Sequence, residues 1–491
     1  MATARTAPRI GECLVAAVSA ALQDAPAFDW VNSSTPLRLA DLTGRVVVLL
    51  FWNGEDMHCA NVLPSLQRSL QRFHDGLVLL GVHVPRHAAQ RQSAMVARAA
   101  QRLHLRFPVA NDADWLHWRH YGIEAWPSAV VLDCSGRIMR VLEGEALTAD
   151  LDALIERLLE DAAARDLRRF DAAPRINSGE IQTHLRFPSG IAVGEQRLYI
   201  ADSSRNRVLE CTLQGRVLRQ FGSGTPGYWD GHVSDAGLCD PQQLLLAGEM
   251  LYVADTGNHA VRRIRLASGQ IETVLGCGRA GYALPTAGTG ATQLAINAPV
   301  GLALRDNQLY VALAGQQQIW KLDLGATGSV QVLAGSGRQG ADDGTADVAT
   351  FMQPGALALQ GGLLLIADAG ANALRALRLA DAQVLTLCGG GPWQAGRTDA
   401  AGRAARFAHP LALVAEPGNG AVYLADTLNG RVVRCVGSEG WQAQTLASAA
   451  NLVEPAALAL HGRTLWIGER GAHAIVRVDL DSGQSARIGE D

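Results

Sequence analysis

The sequence predicts an α/β sandwich followed by an all-β propeller of six blades. Two observations carry this prediction. Between residues 28 and 165, apolar runs of strand length alternate with amphipathic helical segments, which is typical of an α/β domain. From residue 186 onwards, one short phrase recurs six times, and such self-similarity marks stacked supersecondary units.

The repeated phrase is clearest at residues 251–262, which read Leu-Tyr-Val-Ala-Asp-Thr-Gly-Asn-His-Ala-Val-Arg. A proline precedes every copy. The Asp position follows this proline by 16 residues in the fifth copy along the chain and by 14 residues in the other five. Successive prolines lie 45 to 58 residues apart, at Pro188, Pro241, Pro299, Pro354, Pro410 and Pro455. Each copy therefore predicts one structural unit of similar size.

Each copy predicts the strands of one blade. An apolar run such as residues 190–193 follows the proline, a polar turn leads into a β-rich run ending in Ala-Asp, and a further strand such as residues 207–211 comes after the next turn. Six such sheets arranged radially form a propeller with few exposed edges. The phrase at residues 254–259 resembles the NHL repeat, and the resemblance covers all six copies.

The first domain is predicted to alternate strand and helix. Residues 46–52 are all apolar, which indicates a strand buried on both faces. A helix follows, with an apolar stripe at Leu63, Leu66, Leu70 and Phe73. Further helices are predicted at 88–103, 115–121 and 148–159. The remaining strands are predicted at 77–84, 107–110, 128–133 and 137–142.

The segment after the first strand resembles the active-site stretch of the thioredoxin-like family. It reads Phe51-Trp52-Asn53-Gly54-Glu55-Asp56-Met57-His58-Cys59, with Pro64 five residues later. Related members read Phe-Trp-Ala-x-Trp-Cys-x-x-Cys. Residues 122–128 resemble the family's cis-proline loop, and residues 132–138 its hairpin. The resemblance covers residues 26–160 and implies a cis bond between Trp126 and Pro127.

This chain departs from the family at the first, nucleophilic cysteine, where Asp56 stands. Cys59 alone remains, at the second, resolving position. Thiol–disulfide exchange needs a thiolate to attack, and a carboxylate cannot replace it. Asp is instead a favoured helix N-cap, so we expect Asp56 to keep the helix terminus without the chemistry. Its charge should also oppose ionisation of Cys59.

The remaining site candidates lie around this degenerate motif. Cys59 is either a lone reactive thiol or a half-buried relic of the two-cysteine motif. His58 either polarises Cys59 or is an exposed polar residue. In the family, the cis-proline loop contacts the partner chain, so Trp126 and Pro127 are predicted to dock a protein or peptide. Trp52 and Trp126 either flank that docking groove or are core aromatics.

In the propeller, four aspartates share one repeat position and suggest a metal ring at first sight. Their identical placement favours a role in turn structure, so no metal site is predicted. They are Asp202, Asp255, Asp368 and Asp426. The Gly-rich connectors between blades lead into longer loops at residues 230–231, 343–344 and 399. We expect these loops to form a second docking surface on one rim.

Composition limits the classes of partner. With 43 basic and 47 acidic residues, the net charge of −4 disfavours nucleic-acid binding, and no apolar run predicts a membrane span. The eight cysteines are scattered, which favours reduced thiols and a cytoplasmic location, with the periplasm as the alternative. No cofactor is expected. Residues 1–25 are predicted to form a helix, with a signal peptide as the other interpretation.

The order of the two parts is specific. We predict a thioredoxin-like domain at 26–162, a linker and propeller start at 163–185, and the propeller at 186–491. A segment of 160–185 is expected to close the ring by pairing near residues 485–488. The combination resembles the NHL-repeat-containing protein 2 family, found in bacteria and animals. The leading hypothesis is a two-domain interaction module, and the alternative is a monothiol disulfide or peroxide-scavenging enzyme acting through Cys59.

Overall fold

A computed structural model describes residues 27–33, 36–169, 174, 176–177, 182–286, 288–325, 327–418, 420–437 and 440–488. The helix predicted within residues 1–25 lies outside these ranges. The chain divides into two compact units, Met1–Glu180 and Ile181–Asp491. The first unit is a thioredoxin-like α/β domain, and the second is a six-bladed β-propeller.

The first unit contains a five-stranded sheet in the order β3-β2-β1-β4-β5. Strands β1 to β3 are parallel, and β4 and β5 are antiparallel to their neighbours. The strands are β1 Val46–Trp52, β2 Leu77–His83, β3 Val109–Asn111, β4 Ser128–Leu132 and β5 Ile138–Glu143. The helices are α1 Met57–Arg72, α2 Ser93–Arg102, α3 Leu116–His120 and α4 Leu151–Ala164.

Strand β1 is buried along its whole length, as its apolar sequence predicts. Val48 and Leu50 face one core cluster together with α1 and α4, whereas Leu49 and Phe51 face a second cluster with α3. Alternate residues of a strand point to opposite faces, so this single strand anchors both layers of the sandwich. Its carboxyl end leads directly into α1, where the degenerate motif lies.

Two helix boundaries differ from the prediction. The helix expected at 88–103 is split into a 3-10 turn, Ala88–Arg91, and α2, because Gln92 between them is extended (φ −78°, ψ 122°). The helix expected from residue 148 begins at Leu151, after a separate 3-10 turn, Glu145–Thr148. This second turn is held against α1 by the side chain of Glu145, which hydrogen-bonds to His58 and Asn61.

Each blade of the propeller is an antiparallel sheet of four or five strands in the described part of the chain. Blade 1 comprises β6 Pro188–Val193, β7 Leu198–Asp202, β8 Arg207–Cys211 and β9 Val217–Phe221. Blade 2 comprises β10 Gly231–His232, β11 Pro241–Ala247, β12 Met250–Asp255, β13 Ala260–Arg265 and β14 Gln270–Leu275. Blade 3 comprises β15 Pro299–Arg305, β16 Gln308–Leu313, β17 Gln318–Asp323 and β18 Val330–Ala334.

The other three blades repeat the pattern. Blade 4 comprises β19 Gly344–Thr345, β20 Pro354–Gln360, β21 Leu363–Asp368, β22 Ala373–Arg378 and β23 Gln383–Gly389. Blade 5 comprises β24 Ala412–Ala415, β25 Ala421–Asp426, β26 Arg431–Gly437 and β27 Trp441–Thr445. Blade 6 comprises β28 Pro455–His461, β29 Thr464–Glu469, β30 Ala474–Asp479 and β31 Ser485–Ile488. The repeated phrase therefore spans the second and third long strands of each blade.

Neighbouring blades are joined by a recurring side-chain hydrogen bond. One residue at the turn after each Ala-Asp strand has positive φ, and its side chain accepts the backbone N–H of the residue before the next blade's proline. In each pair the first residue donates its backbone N–H and the second accepts with its side chain, at 2.6 to 3.1 Å. The pairs are Asp240 and Asn206, Ala298 and His259, Gln353 and Gln317, His409 and Asn372, and Phe187 and His473. Gly430 holds this position in blade 5.

The ring does not close as predicted among the described residues. Strand β31 pairs with β30, and Ile176 bridges to Ser33 within the first unit. Blade 6 instead packs onto blade 1 through an apolar cluster that includes Ile191, Leu198, Ala457 and Trp466. Because the faces of both blades are apolar, sheet packing joins them within the part of the chain that the structure describes.

Candidate functional site

The degenerate motif lies at the amino end of α1. Asp56 is the N-cap, with extended backbone (φ −94°, ψ 121°), and its carboxylate accepts the backbone N–H of Cys59 at 3.0 Å. This confirms the predicted capping role. A capping carboxylate satisfies one of the orphan N–H groups and complements the helix dipole. The residue at the nucleophile position therefore holds the helix terminus.

The Cys59 thiol is fully buried, not half-buried. Its sulfur accepts the backbone N–H of Asn53 at 3.4 Å and packs into the core beneath α1. Burial raises the pKa of Cys59 well above its ordinary value, and the charge of Asp56 raises it further. Because the thiolate is the reacting form of cysteine, both effects disfavour the reacting form of this thiol.

His58 is not an exposed polar residue, because only 15% of its side chain is exposed. Its Nδ1 lies 2.8 Å from the carboxylate of Glu145, which also accepts from the Asn61 side chain at 2.6 Å. Burial alone would lower the pKa of His58. The hydrogen bond to Glu145 and the charge of Asp56 outweigh burial and raise that pKa. His58 therefore ties the 3-10 turn at Glu145 to α1.

Trp52 does not flank a groove, because its side chain is fully buried at the end of β1 and packs edge-on against His83. Behind the motif, the side chains of Asn53 and Gln90 exchange two hydrogen bonds of 3.1 and 2.9 Å. Burial lowers the pKa of His83 to about 4, so its ring is neutral at physiological pH. The space beneath the motif is filled by uncharged polar side chains and Trp52.

The Trp126–Pro127 bond is cis, as the sequence predicts. The Pro127 carbonyl accepts the N–H of Gly144 at 2.8 Å, which connects this loop to the segment that carries Glu145. Trp126 is half-buried, and its ring centroid lies 4.7 Å from that of Trp118 and 5.4 Å from that of Trp115. Leu116 beside them is 49% exposed. The loop thus adjoins an aromatic cluster with an exposed apolar edge.

Glu145 and Asn61 are the residues of this site that the sequence did not indicate. Glu145 lies 87 residues beyond His58 and belongs to no recognised motif. No periodicity predicts that a 3-10 turn after β5 will cross the end of α1. The tertiary fold alone brings these side chains together.

The sequence predicts a role in turn structure for the repeated propeller aspartates, whereas the structure shows that their carboxylates bond to the backbone ahead of the first strand of the same blade. Each carboxylate accepts a backbone N–H from 16 or 18 residues upstream, and Glu469 does the same in blade 6. Asp255, Asp368 and Asp426 also pair with the arginines Arg262, Arg375 and Arg431 at 2.8, 3.1 and 2.7 Å. In the described ranges, no group of three or more His, Cys, Asp or Glu side chains is placed to hold a metal ion.

The rim loops are also partly structural. Asp230, Asp343 and Asp399 turn back onto the same three arginines at 2.8, 3.0 and 2.7 Å. Their carboxylates are therefore used within the propeller.

None of the helices within the described residues is long and apolar enough to span a membrane.

Comparisons with known proteins follow the two units. The AhpC/TSA family model matches residues 21–141. The chain is 30% identical over 499 residues to Protein SUPPRESSOR OF QUENCHING 1, chloroplastic, of Arabidopsis thaliana, which covers 94% of this chain and 47% of that protein. It is 28% identical over 505 residues to NHL repeat-containing protein 2 of Bos taurus, which covers 93% of this chain and 69% of that protein.

A further relative matches the first unit alone. Protein DipZ of Mycobacterium tuberculosis (strain CDC 1551 / Oshkosh) is 30% identical over 136 residues, which covers 27% of this chain and 20% of that protein. The chain spans about half the length of the Arabidopsis relative. The shared part thus includes both units in some relatives and one unit in others.

Proposed function

Because the chain belongs to the NHL repeat-containing protein 2-like family, in which a thioredoxin-like domain precedes a six-bladed NHL propeller, we propose that it is a two-domain protein-interaction module. Its thioredoxin-like domain is redox-degenerate and performs no thiol–disulfide exchange. One observation carries this proposal: Cys59 is fully buried behind the carboxylate of Asp56, which occupies the position of the nucleophile.

The chemistry of exchange supports this reading. A disulfide is attacked by a thiolate, and the resulting mixed disulfide is resolved by a second thiol. Asp56 supplies no sulfur, and its negative charge disfavours a thiolate at Cys59. The buried sulfur is also inaccessible to the sulfur of a protein disulfide. Both steps of the reaction therefore lack a competent group.

A protein or peptide is the proposed partner of the thioredoxin-like domain. Trp115 and Trp126 are half-buried beside the cis-proline loop, and Leu116 is 49% exposed. Amphipathic aromatic side chains with an exposed apolar neighbour are typical of protein interfaces. The docking role proposed for Trp126 and Pro127 therefore does not depend on redox chemistry.

The cytoplasm is the proposed compartment. Seven cysteines lie in the described part of the chain, and all of them are free thiols. Free cysteines are the rule where glutathione and thioredoxin keep thiols reduced.

The first test measures how fast the Cys59 thiol is alkylated and whether the protein reduces a disulfide. We would follow alkylation of Cys59 by site-resolved mass spectrometry between pH 6 and 10 in wild type, with guanidinium-denatured protein as the reactive reference, and assay insulin-disulfide reduction in parallel. We expect folded Cys59 to react far more slowly than the reference and no insulin reduction. Fast reaction at neutral pH, with turnover of a disulfide or a peroxide, would establish the monothiol enzyme instead.

The matched variants are Asp56→Cys and Cys59→Ser. Asp56→Cys restores a sulfur at an accessible helix terminus, so a gain of insulin reduction would show that this one position disarms the site. Cys59→Ser in the Asp56→Cys background should remove that gain, because the resolving thiol is then absent. A wild-type activity that survives Cys59→Ser would place the chemistry at another residue.

The docking surface has its own test. A photo-reactive phenylalanine analogue at Leu116 should cross-link to one defined protein. The same analogue at Met139, which is 45% exposed on β5, is the control. Equal cross-linking from both positions would show that the surface beside the cis-proline loop has no special role.

A further inference from the structure

Histidines accept the hydrogen bond at two of the blade junctions. His259 in blade 2 and His473 in blade 6 are the residues with positive φ at the turn between the second and third long strands. The N–H of Ala298 is donated to Nδ1 of His259, and that of Phe187 to Nδ1 of His473, each at 3.1 Å. Because the backbone nitrogen is the donor in both bonds, Nδ1 carries no proton and each imidazole is neutral.

The residues at the same turn in three other blades do not titrate. Asn206, Gln317 and Asn372 accept the equivalent N–H with an amide oxygen at 2.6 to 3.1 Å. An amide oxygen remains an acceptor when the pH falls, whereas a protonated imidazole has two N–H donors and no acceptor. Of these five junction bonds, the two to histidine therefore depend on pH.

The donor of each histidine bond belongs to a strained residue. Phe187 has a φ of +53° and Ala298 a φ of +51°, in the left-handed region that residues with a Cβ seldom adopt. Phe187 is fully buried, and its ring packs edge-on against that of His473, with the centroids 4.4 Å apart. The bond to His473 thus stabilises a backbone conformation that is unfavourable by itself.

The His473 bond lies where the propeller ring closes. Phe187 immediately precedes β6, the first strand of blade 1, and His473 immediately precedes β30 in blade 6. Within the described residues, the first and last blades meet through this bond and through the packing of their apolar faces. Blades 2 and 3 are also consecutive in the chain, so loss of the His259 bond leaves them connected. Protonation therefore matters most at the junction of His473.

The charged side chains of the segments that meet at this junction form ion pairs with one another. They come from the turn of His473, from the segment before β28, from β31 and from blade 1. The pairs are Arg470 with Glu454 at 3.2 Å, Glu469 with Arg487 at 2.9 Å and Asp202 with Arg207 at 2.8 Å. Arg186 and the exposed His184 precede Phe187 in the chain. Because each of these carboxylates already has a cationic partner, it offers little stabilisation to a protonated His473.

We propose that His473 is an acid-sensitive clasp between the first and the last blade of the propeller. The neutral imidazole accepts the Phe187 N–H and holds the residue ahead of β6 in place. Protonation of Nδ1 removes the acceptor and sets one N–H against another. A solvated imidazole takes up a proton near pH 6.5, so opening of the junction is increasingly favoured as the pH falls below this value. Acid therefore loosens blade 1 from blade 6 and uncovers the apolar cluster between them.

The size of the effect follows from the linkage between proton binding and opening. When the proton binds to the opened junction alone, with the ordinary imidazole pKa of about 6.5, the equilibrium for opening increases roughly tenfold from pH 7.5 to pH 5.5. Hydrogen exchange of the Phe187 amide, corrected for the intrinsic rate at each pH, reports this equilibrium. We therefore expect the protection of this amide to fall roughly tenfold over the same range.

The junctions with amide acceptors provide an internal control. Asp240 and Gln353 donate to Asn206 and Gln317, so the corrected protection of their amides should stay constant between the two pH values. Deuterium labelling of the full chain, read by electron-transfer dissociation, separates these amides from their neighbours. The comparison distinguishes a local effect at His473 from a general loss of stability in acid.

Three variants assign the effect to one side chain. Asn tolerates positive φ and stands at this turn in two other blades, so His473→Asn should keep Phe187 protected at both pH values. His473→Gly reproduces Gly430 of blade 5 and removes the acceptor, so Phe187 should exchange fast at both. His259→Asn, at the other histidine junction, should leave the pH dependence at Phe187 intact. Melting temperature at pH 7.5 verifies that each variant is folded.

Three results would overturn the proposal. Protection of Phe187 that does not change with pH would show that protonation does not open the junction. An equal fall at Asp240 would show a general effect of acid on the propeller. A pH dependence at Phe187 that persists in His473→Asn would assign the titration to another group.

Discussion

Replacing Arg262 by Met tests whether the buried ion pairs hold the propeller blades together. Arg262 is fully buried and donates to the Asp255 carboxylate, Asp230 and two backbone carbonyls. The methionine fills much of the same space but carries no charge. Asp255, which is also fully buried, would then lose its cationic partner.

The expected cost follows from what each carboxylate can do without the arginine. Breaking a buried pair by removing one partner typically costs about 3 to 5 kcal/mol, because an uncompensated charge remains. Asp255 retains bonds from the Cys239 N–H at 2.7 Å and from Asn258 at 2.8 Å, which favours the lower end, about 3 kcal/mol. Asp230 is 49% exposed and can return to water, so it contributes little.

The pH dependence of this cost has a definite sign. Burial raises the pKa of Asp255 to about 6 even with Arg262 in place. Without the arginine the pKa must rise further, because the attraction that opposes burial is gone. Asp255 of the variant therefore takes up a proton more readily as pH falls. The penalty of Arg262→Met should be smaller at pH 5 than at pH 8.

Guanidinium unfolding of the full chain, with amide exchange of β12 and β13 as the local readout, measures the effect. Arg265→Met is the control on the same strand, because Arg265 is 46% exposed and its pair with Glu272 should matter by less than about 1 kcal/mol. The double variant Asp255→Asn/Arg262→Met removes both charges and should recover much of the loss. A single variant within about 1 kcal/mol of wild type, or a double variant no more stable than the single, would refute this reasoning.

Three further predictions concern local hydrogen bonds. Asp56→Ala should cost about 1 kcal/mol of stability by loss of the N-cap, whereas Asp56→Asn should keep the cap and speed alkylation of Cys59. Burial lowers the pKa of His58, but the hydrogen bond to Glu145 and the charge of Asp56 raise it by more. The contribution of protonated His58 to the stability of the fold is therefore complete below pH 6 and is lost as pH rises through the raised pKa. His58→Gln should therefore lower the melting temperature at pH 5.5 and hardly at pH 8.5. Asn372 has φ +53° and accepts from His409, so Asn372→Ala should cost about 1 to 2 kcal/mol more than Asn372→Gly in unfolding experiments.

The architecture of both units could be predicted because its signals are local and periodic. The apolar run of β1 and the recurrence of Pro and Ala-Asp reflect backbone requirements that each strand meets within its own few residues. The N-cap role of Asp56 was predictable for the same reason, since its N–H partner lies only three residues away. The replacement of the family's first cysteine by Asp56 is readable directly from the sequence.

What the tertiary structure decided depends on residues far apart in sequence. His58 is nearly buried because a turn 87 residues away places Glu145 over it, and no pattern near either residue encodes that contact. Trp52 and Cys59 share the buried interior because β1 and α1 pack against α2 and β2, a matter of layer geometry. Sequence periodicity determines which elements form, but long-range packing determines which side chains water can reach, and accessibility decides the chemistry of these sites.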